Sequence, residues 1–269
     1  MFPGAVADRE SAAYALVGAP LDRSTSFRPG TRFGPRRVRH HAEGFEDFDH
    51  RTGRRLTDLG VYDHGDVGPT ADPAEYLEFL EGTLGDFRAT GATPLLVGGE
   101  HTVTVAGVRA VDPDVFVSLD AHLDLRESFA GDELSHATVT RHALTVADRA
   151  VVLGARAGSE AEWERASEGD VTVVPPEDVP DWTPELEGSA YLSIDVDAFD
   201  PGFAPGTGTP EPFGLAPRDG RRLVRELAPV TDGFDVVEVN DRDDGQAATL
   251  AAKLLRRFVY DHAESRPDG

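Results

Sequence analysis

Two aspartate-rich segments carry most of the chemistry available to this chain: Asp120-Ala121-His122-Leu123-Asp124 and, further on, Asp195-Val196-Asp197. Each follows an apolar run, 115–119 and 190–194, so each reads as the C-terminal end of a buried strand. Four aspartates leaving apolar strands together repel one another and lose hydration unless a cation compensates them. A third segment, Gly98-Gly99-Glu100-His101, follows another strand-like run and adds a second imidazole. Extended residues at i, i+2 and i+4 share a face, so Asp120, His122 and Asp124 are expected to converge on one point, with Asp195 and Asp197 meeting them from another strand. Asp124 and Asp195, facing each other from separate strands, are the expected bridging ligands. Nitrogen and oxygen donors without thiolate favour manganese, iron or magnesium over a structural zinc. The set is large enough for two ions.

The elements that must hold these residues alternate along the chain. Strand-like runs lie at 13–17, 57–61, 94–97, 115–119, 150–153, 171–174, 190–194 and 234–238. Helical spacing is found at 73–90, with Tyr76, Phe79, Leu80, Leu84 and Phe87 on one face, and helices are expected after Pro35, near Thr102 and over 159–166, 218–227 and 247–262. Continuous apolar strands separated by helices predict an α/β fold of three layers, α/β/α, around a mostly parallel sheet, with the ligands along one edge. One domain spanning 1–269 is expected, with a frayed tail from about 263.

Charge restricts the partners. With 49 acidic and 26 basic residues the chain carries −23, and Lys253 is its sole lysine. Such a surface repels nucleic acid and anionic membranes. It suits concentrated salt, where the Debye length falls to about 3 Å at 1 M, so a salt-adapted, halophilic cytoplasm is expected. The absence of cysteine excludes thiolate sites and disulfides. No stretch of eighteen apolar residues or signal-like start is present, which places the chain in the cytoplasm without a membrane partner.

The three segments, the last extended as Ser193-Ile194-Asp195-Val196-Asp197-Ala198-Phe199-Asp200-Pro201, resemble the signatures of the ureohydrolase family of arginases, agmatinases and formiminoglutamases. The continuation Ala204-Pro205-Gly206-Thr207-Gly208-Thr209-Pro210-Glu211 is most similar to agmatinases, and the resemblance reaches back to Arg28-Pro29-Gly30-Thr31-Arg32-Phe33-Gly34-Pro35. It implies an arginase-like fold, two Mn2+ ions held by His101, Asp120, His122, Asp124, Asp195 and Asp197, and a homo-oligomer, trimeric or hexameric. It also implies hydrolysis of a small guanidino substrate. A guanidinium stays protonated and its carbon resists neutral water, so hydroxide is required near neutrality, and paired metals can provide it. Ser135-His136-Ala137-Thr138 is similar to the family's His-Gly-Thr segment and makes His136 the catalytic proton carrier, an imidazole with an ordinary pKa of about 6.5. Glu238 matches the glutamate that grips the guanidinium, by bidentate pairing.

Three places depart from the agmatinase pattern: Ala137, Phe213 and Asn240-Asp241. They bear on the pocket for the far end of the substrate. The leading expectation is agmatine, converted to putrescine and urea, with arginine, guanidinobutyrate and formiminoglutamate as alternatives and a non-catalytic metal-binding relative as the rival class. Glu211 and the acidic Gly131-Asp132-Glu133 are the expected rim around the substrate's outer end. Arg126 is expected to form an ion pair near the site. His40, His41, His50, His64, His142 and His262 have no metal-like spacing and are assigned surface or interior roles.

Overall fold

The structure, a computed structural model, describes residues 1–240 and 242–266. Its strands are β1 (Tyr14–Ala19), β2 (Phe48–Asp49), β3 (Arg54–Arg55), β4 (Val61–Asp66), β5 (Thr93–Gly98), β6 (Val115–Leu119), β7 (Arg149–Leu153), β8 (Val171–Val174), β9 (Ala190–Asp195) and β10 (Thr231–Val237). Its α-helices are α1 (Gly34–Ala42), α2 (Pro73–Ala89), α3 (Thr104–Val111), α4 (Val139–Ala143), α5 (Glu160–Ala166), α6 (Pro217–Leu227) and α7 (Gln246–Ser265). Eight strands form one sheet in the order β4-β1-β5-β10-β9-β6-β7-β8, and every pairing in it is parallel. β2 and β3 make a separate antiparallel hairpin.

Side chains alternate across the sheet into two cores, as a sheet covered on both faces requires. Leu16, Val117, Leu119, Leu192 and Ile194 enter the core shared with α1, α6 and α7. Val17, Phe116, Val152 and Tyr191 enter the core under α2 and α3. The α2 start is fixed locally: Asp72 caps it by accepting from the Ala74 and Glu75 amides, and Pro73 occupies its first turn. Its buried Tyr76, Leu80, Leu84 and Phe87 keep the spacing anticipated, but Phe79 is exposed.

Two expectations are corrected here. The run at 57–61 opens in a 3₁₀ turn, Leu56–Asp58, and the strand begins only at Val61, because Gly60 takes a positive φ of 69° that breaks extension. The last helix continues past His262 to Ser265, carried by Arg51, whose guanidinium pairs with Asp261 and Glu264. Residues 267–269 of the expected frayed tail lie outside the described residues. The β2–β3 hairpin and α4 had no counterpart in the sequence pattern, being too short for periodicity to register.

The four central neighbours β5, β10, β9 and β6 carry the anticipated metal ligands and Glu238 just at or beyond their C-terminal ends, whereas His136 and Glu211 lie in loops farther on. Parallel pairing brings all four ends to one edge, the location where open α/β sheets place their ligands.

Candidate metal centre and active site

The acids do not converge through strand alternation. β6 ends at Leu119, before Asp120, and the segment beyond it is irregular, with Asp124 in the left-handed region at φ 51°. β9 ends at Asp195, and a 3₁₀ turn, Val196–Ala198, folds Asp197 back so that its amide donates to Asp195 Oδ1 at 2.8 Å. The expectation of a shared extended face is therefore replaced by two tight turns. Asp120 Oδ1 accepts the His122 amide at 2.7 Å, and Asp197 Oδ1 accepts the Ala121 amide at 3.1 Å, so each carboxylate is aimed by backbone of the other motif or its own.

Two groups of donor atoms result, each within 4.8 Å: His101, Asp120 and Asp124, and Asp120, His122 and Asp197. Asp120 is common to both. Asp195 stands beside the first group, with Oδ2 3.6 Å from His101 Nδ1. His101 Nδ1 lies 2.9 Å from Asp124 Oδ2 and 3.2 Å from Asp120 Oδ2, while His122 Nδ1 lies 3.0 Å from Asp197 Oδ2.

These residues fit a divalent pair on two physical grounds. His101 Nδ1 and Asp120 Oδ2 are buried and make no aligned hydrogen bond, the state of donors that converge on a point between them. The charges also lack compensation: burial, Asp197 and Asp120 push the Asp195 carboxyl well above its usual range, and burial with Asp120 lifts Asp124 to about 7. Against the opposing effect of burial, Asp197 and Asp120 raise the His122 imidazole to about 12. Protons thus collect where positive charge is wanted, and neutral imidazoles with ionised carboxylates are the forms that bind metal.

His136 sits in a capped turn, His136–Thr138, with its ring edge-on to Phe129 at 5.3 Å. Burial first, then the charges of His122 and His101, lower its pKa from 6.5 to about 4. This disfavours the charged form of the ring. Glu238 follows β10 at φ 61° and is buried; its Oε1 accepts the His101 amide at 2.8 Å. Burial and the Glu100 carboxylate, opposed by the His101 amide, raise its pKa well above the usual range.

A cavity of about 330 Å³ opens here, lined in part by His122, Asp124, His136, Thr209, Glu211 and Arg126; Glu238 is not among its lining residues. Glu211 Oε1 lies 3.9 Å from His122 Nε2, and this acid lines the cavity. Asp132 and Glu133 do not line it; the Phe129–Asp132 turn keeps the segment outside and presents Phe129 instead. Arg126 is held by Glu162 at 3.2 Å, and both line the cavity. A larger cavity of about 900 Å³, between α6, α7 and the β2–β3 hairpin, contains none of the anticipated site residues.

The departures from pattern fall differently. Ala137 lines the cavity, whereas Phe213 does not: the residue is 86% exposed and its backbone is left-handed at φ 67°, the conformation for which glycine is suited. Asn240 is buried and holds the Arg28 carbonyl at 2.7 Å, and Asp241 lies outside the described residues. Residues without a role in the sequence reading also shape the site. Arg156 donates to the carbonyls of Asp197 and Glu211 and ties the 197–211 loop down, and Asp235 collects Thr104, Tyr191 and Ser193 beneath His101. Ser24, in the loop after β1, lies 3.0 Å from His136 Nδ1 and is itself held by Glu100, just beyond β5. Of these, only Glu100 and Ser193 lay within conspicuous motifs.

A family model described as the arginase family matches residues 12–260. An agmatinase of Pyrococcus horikoshii is 33% identical over 92% of this chain and 91% of its own. A guanidinobutyrase of Pseudomonas aeruginosa is 35% identical, covering 91% of this chain and 85% of its own. The solved agmatine ureohydrolase of Thermoplasma volcanium superposes with a TM-score of 0.93 at 33% identity, over 98% of this chain and 94% of that one.

Proposed function

The chain belongs to the arginase family of ureohydrolases, and from that premise we propose that it hydrolyses agmatine to putrescine and urea. The observation that carries this reading is the cavity in which His122, Asp124, His136 and Glu211 meet, directly over the two donor groups that share Asp120. His101, Asp120, His122, Asp124, Asp195 and Asp197 would hold two Mn2+ ions. When bound, the metals supply water of lowered pKa, which a resonance-stabilised guanidinium carbon needs near neutrality.

Every other part falls to side chains. Glu238 receives the guanidinium by charge-assisted hydrogen bonds and holds its carbon in place. His136 takes the proton of the oxygen added to the tetrahedral carbon and gives it to the departing nitrogen as the carbon–nitrogen bond breaks, so that putrescine leaves neutral at that nitrogen and urea remains. Glu211, at the rim, faces the outer ammonium of agmatine. The acid excess of the chain adds to this preference, because an α-carboxylate brought to such a rim is repelled.

Arg126 favours a second reading. Its guanidinium lines the same cavity and could pair with a carboxylate-tailed guanidine, as in guanidinobutyrate. Its pairing with Glu162 reduces that attraction. Urea release from agmatine, guanidinobutyrate and arginine, measured with manganese at constant molar ionic strength, separates the readings. We expect kcat/KM to be highest for agmatine; a tenfold preference for arginine or guanidinobutyrate overturns the substrate assignment and leaves the chemistry standing. A trimer or hexamer working in a salt-rich cytoplasm completes the proposal. Among the described residues no helix is long and apolar enough to cross a membrane.

A further inference from the structure

We propose that Ser24, anchored by Glu100, is a positioning residue that holds His136 in the tautomer protonated at Nδ1, leaving Nε2 as the bare base toward the cavity. This rests on the reading of His136 as the proton carrier. The buried Glu100 carboxylate receives two donors on each oxygen: the Arg23 and Ser24 amides on Oε2, and the Ser24 and Thr102 hydroxyls on Oε1. The Ser24 hydroxyl has one hydrogen, and it is committed to Oε1 at 2.9 Å. Two lone pairs are left on Ser24 Oγ. The His136 amide takes one at 2.9 Å, and His136 Nδ1 lies against the other at 3.0 Å. A bare Nδ1 would place lone pair against lone pair, so Nδ1 must be the donor. Nε2 then has no proton, and its nearest partner is the Ser26 hydroxyl at 3.5 Å, a residue that itself lines the cavity.

The competing tautomer has a structural candidate as well. Ser135 Oγ stands 3.4 Å from Nδ1 and accepts the Ala137 amide at 3.4 Å, so its hydrogen is available to a bare Nδ1. Ser24 is nearer and cannot donate, and the balance between these two hydroxyls sets which nitrogen works. A base whose lone pair points away from the reacting atoms is ineffective even when correctly placed.

The test is nitrogen-15 NMR of the His136 ring in the full chain loaded with diamagnetic Mg2+, with the signals assigned by their loss in His136→Asn. Wild type is expected to carry its proton on Nδ1; a proton on Nε2 overturns the proposal without any variant. Ser24→Ala should move the population toward the Nε2 tautomer through Ser135, lower kcat about tenfold or more with KM and metal content unchanged, and be rescued by Ser24→Thr. An unchanged tautomer in Ser24→Ala, or loss of metal with kcat, also overturns it. His136→Asn tests the underlying reading separately: kcat should fall about 10²–10⁴-fold with both metals retained. If that variant keeps its turnover, His136 is not the proton carrier, whichever tautomer the ring holds.

Discussion

At the scale of single residues, the site is assembled from side chains whose neighbours leave something unsatisfied. His101 Nδ1 and Asp120 Oδ2 lack hydrogen bonds, and Asp195 and Glu238 are buried beside other acids. These features were legible in the sequence as residue types after apolar runs. Their geometry was not, because Asp124 and Glu238 adopt positive φ, which ordinary spacing rules do not contain. Phe213 illustrates the same blindness away from the chemistry. It was suspected of shaping the pocket, yet it is solvent-exposed at φ 67°, anchored by its amide to Asp200 Oδ2. The left-handed region costs a residue with a Cβ roughly 1–2 kcal/mol, partly offset by the greater unfolded entropy of glycine. Phe213→Gly should therefore stabilise the protein by about 0.5–1 kcal/mol. Urea midpoints of variant and parent would check this, with kcat and KM unchanged; equal or lower stability would show that the phenyl ring contributes something the backbone argument omits.

At the scale of elements, four adjacent strand ends deliver the site, and the helices behind them set how firmly. The strands were readable because both their faces are apolar, and this also predicted the covering helices. What periodicity missed were elements fixed by single contacts, such as the β2–β3 hairpin and the last turn of α7. That helix is also where a buried titratable group enters stability. His262 stacks on Phe258 at 5.1 Å and accepts or shares the Tyr14 hydroxyl at 2.9 Å, joining α7 to β1. Burial, with Arg266 adding, lowers its pKa from 6.5 to about 4. The folded state therefore favours the neutral ring. Its contribution is complete above pH 6.5 and is lost as pH falls from 6.5 through 4, where the unfolded chain binds the proton first. The loss is on the order of 3 kcal/mol. His262→Gln should flatten the decline of unfolding free energy over that interval relative to the parent. Parallel curves for the two proteins would mean that His262 does not titrate with unfolding.

At the scale of the whole molecule, charge and active site press in the same direction. A net −23 spread over one chain raises the free energy of every compact state, and the uncompensated acids at the sheet edge add a local share that metal removes. The internal pairs do not cancel the general repulsion: Arg39 with Asp63 and Asp66, Arg257 with Asp49 and Asp261, and Arg165 with Asp170 neutralise chosen acids and leave the surplus on the surface. Composition made this surplus visible, but not which acids are paired, since pairing depends on contacts between distant segments such as α1 and β4. Salt distinguishes the two shares. Diffuse repulsion between exposed charges is screened once the Debye length shrinks to about 3 Å at 1 M, whereas the buried cluster is screened much less. The Tm of the metal-free protein should thus rise continuously from 0.1 M toward molar KCl, and manganese should add a further increment that persists at high salt. Glucose at matched osmolality should not reproduce the salt effect. A Tm that is flat or falling between about 0.1 M and 1 M KCl would show that self-repulsion is not what limits stability, and would remove the physical basis for a salt-adapted setting.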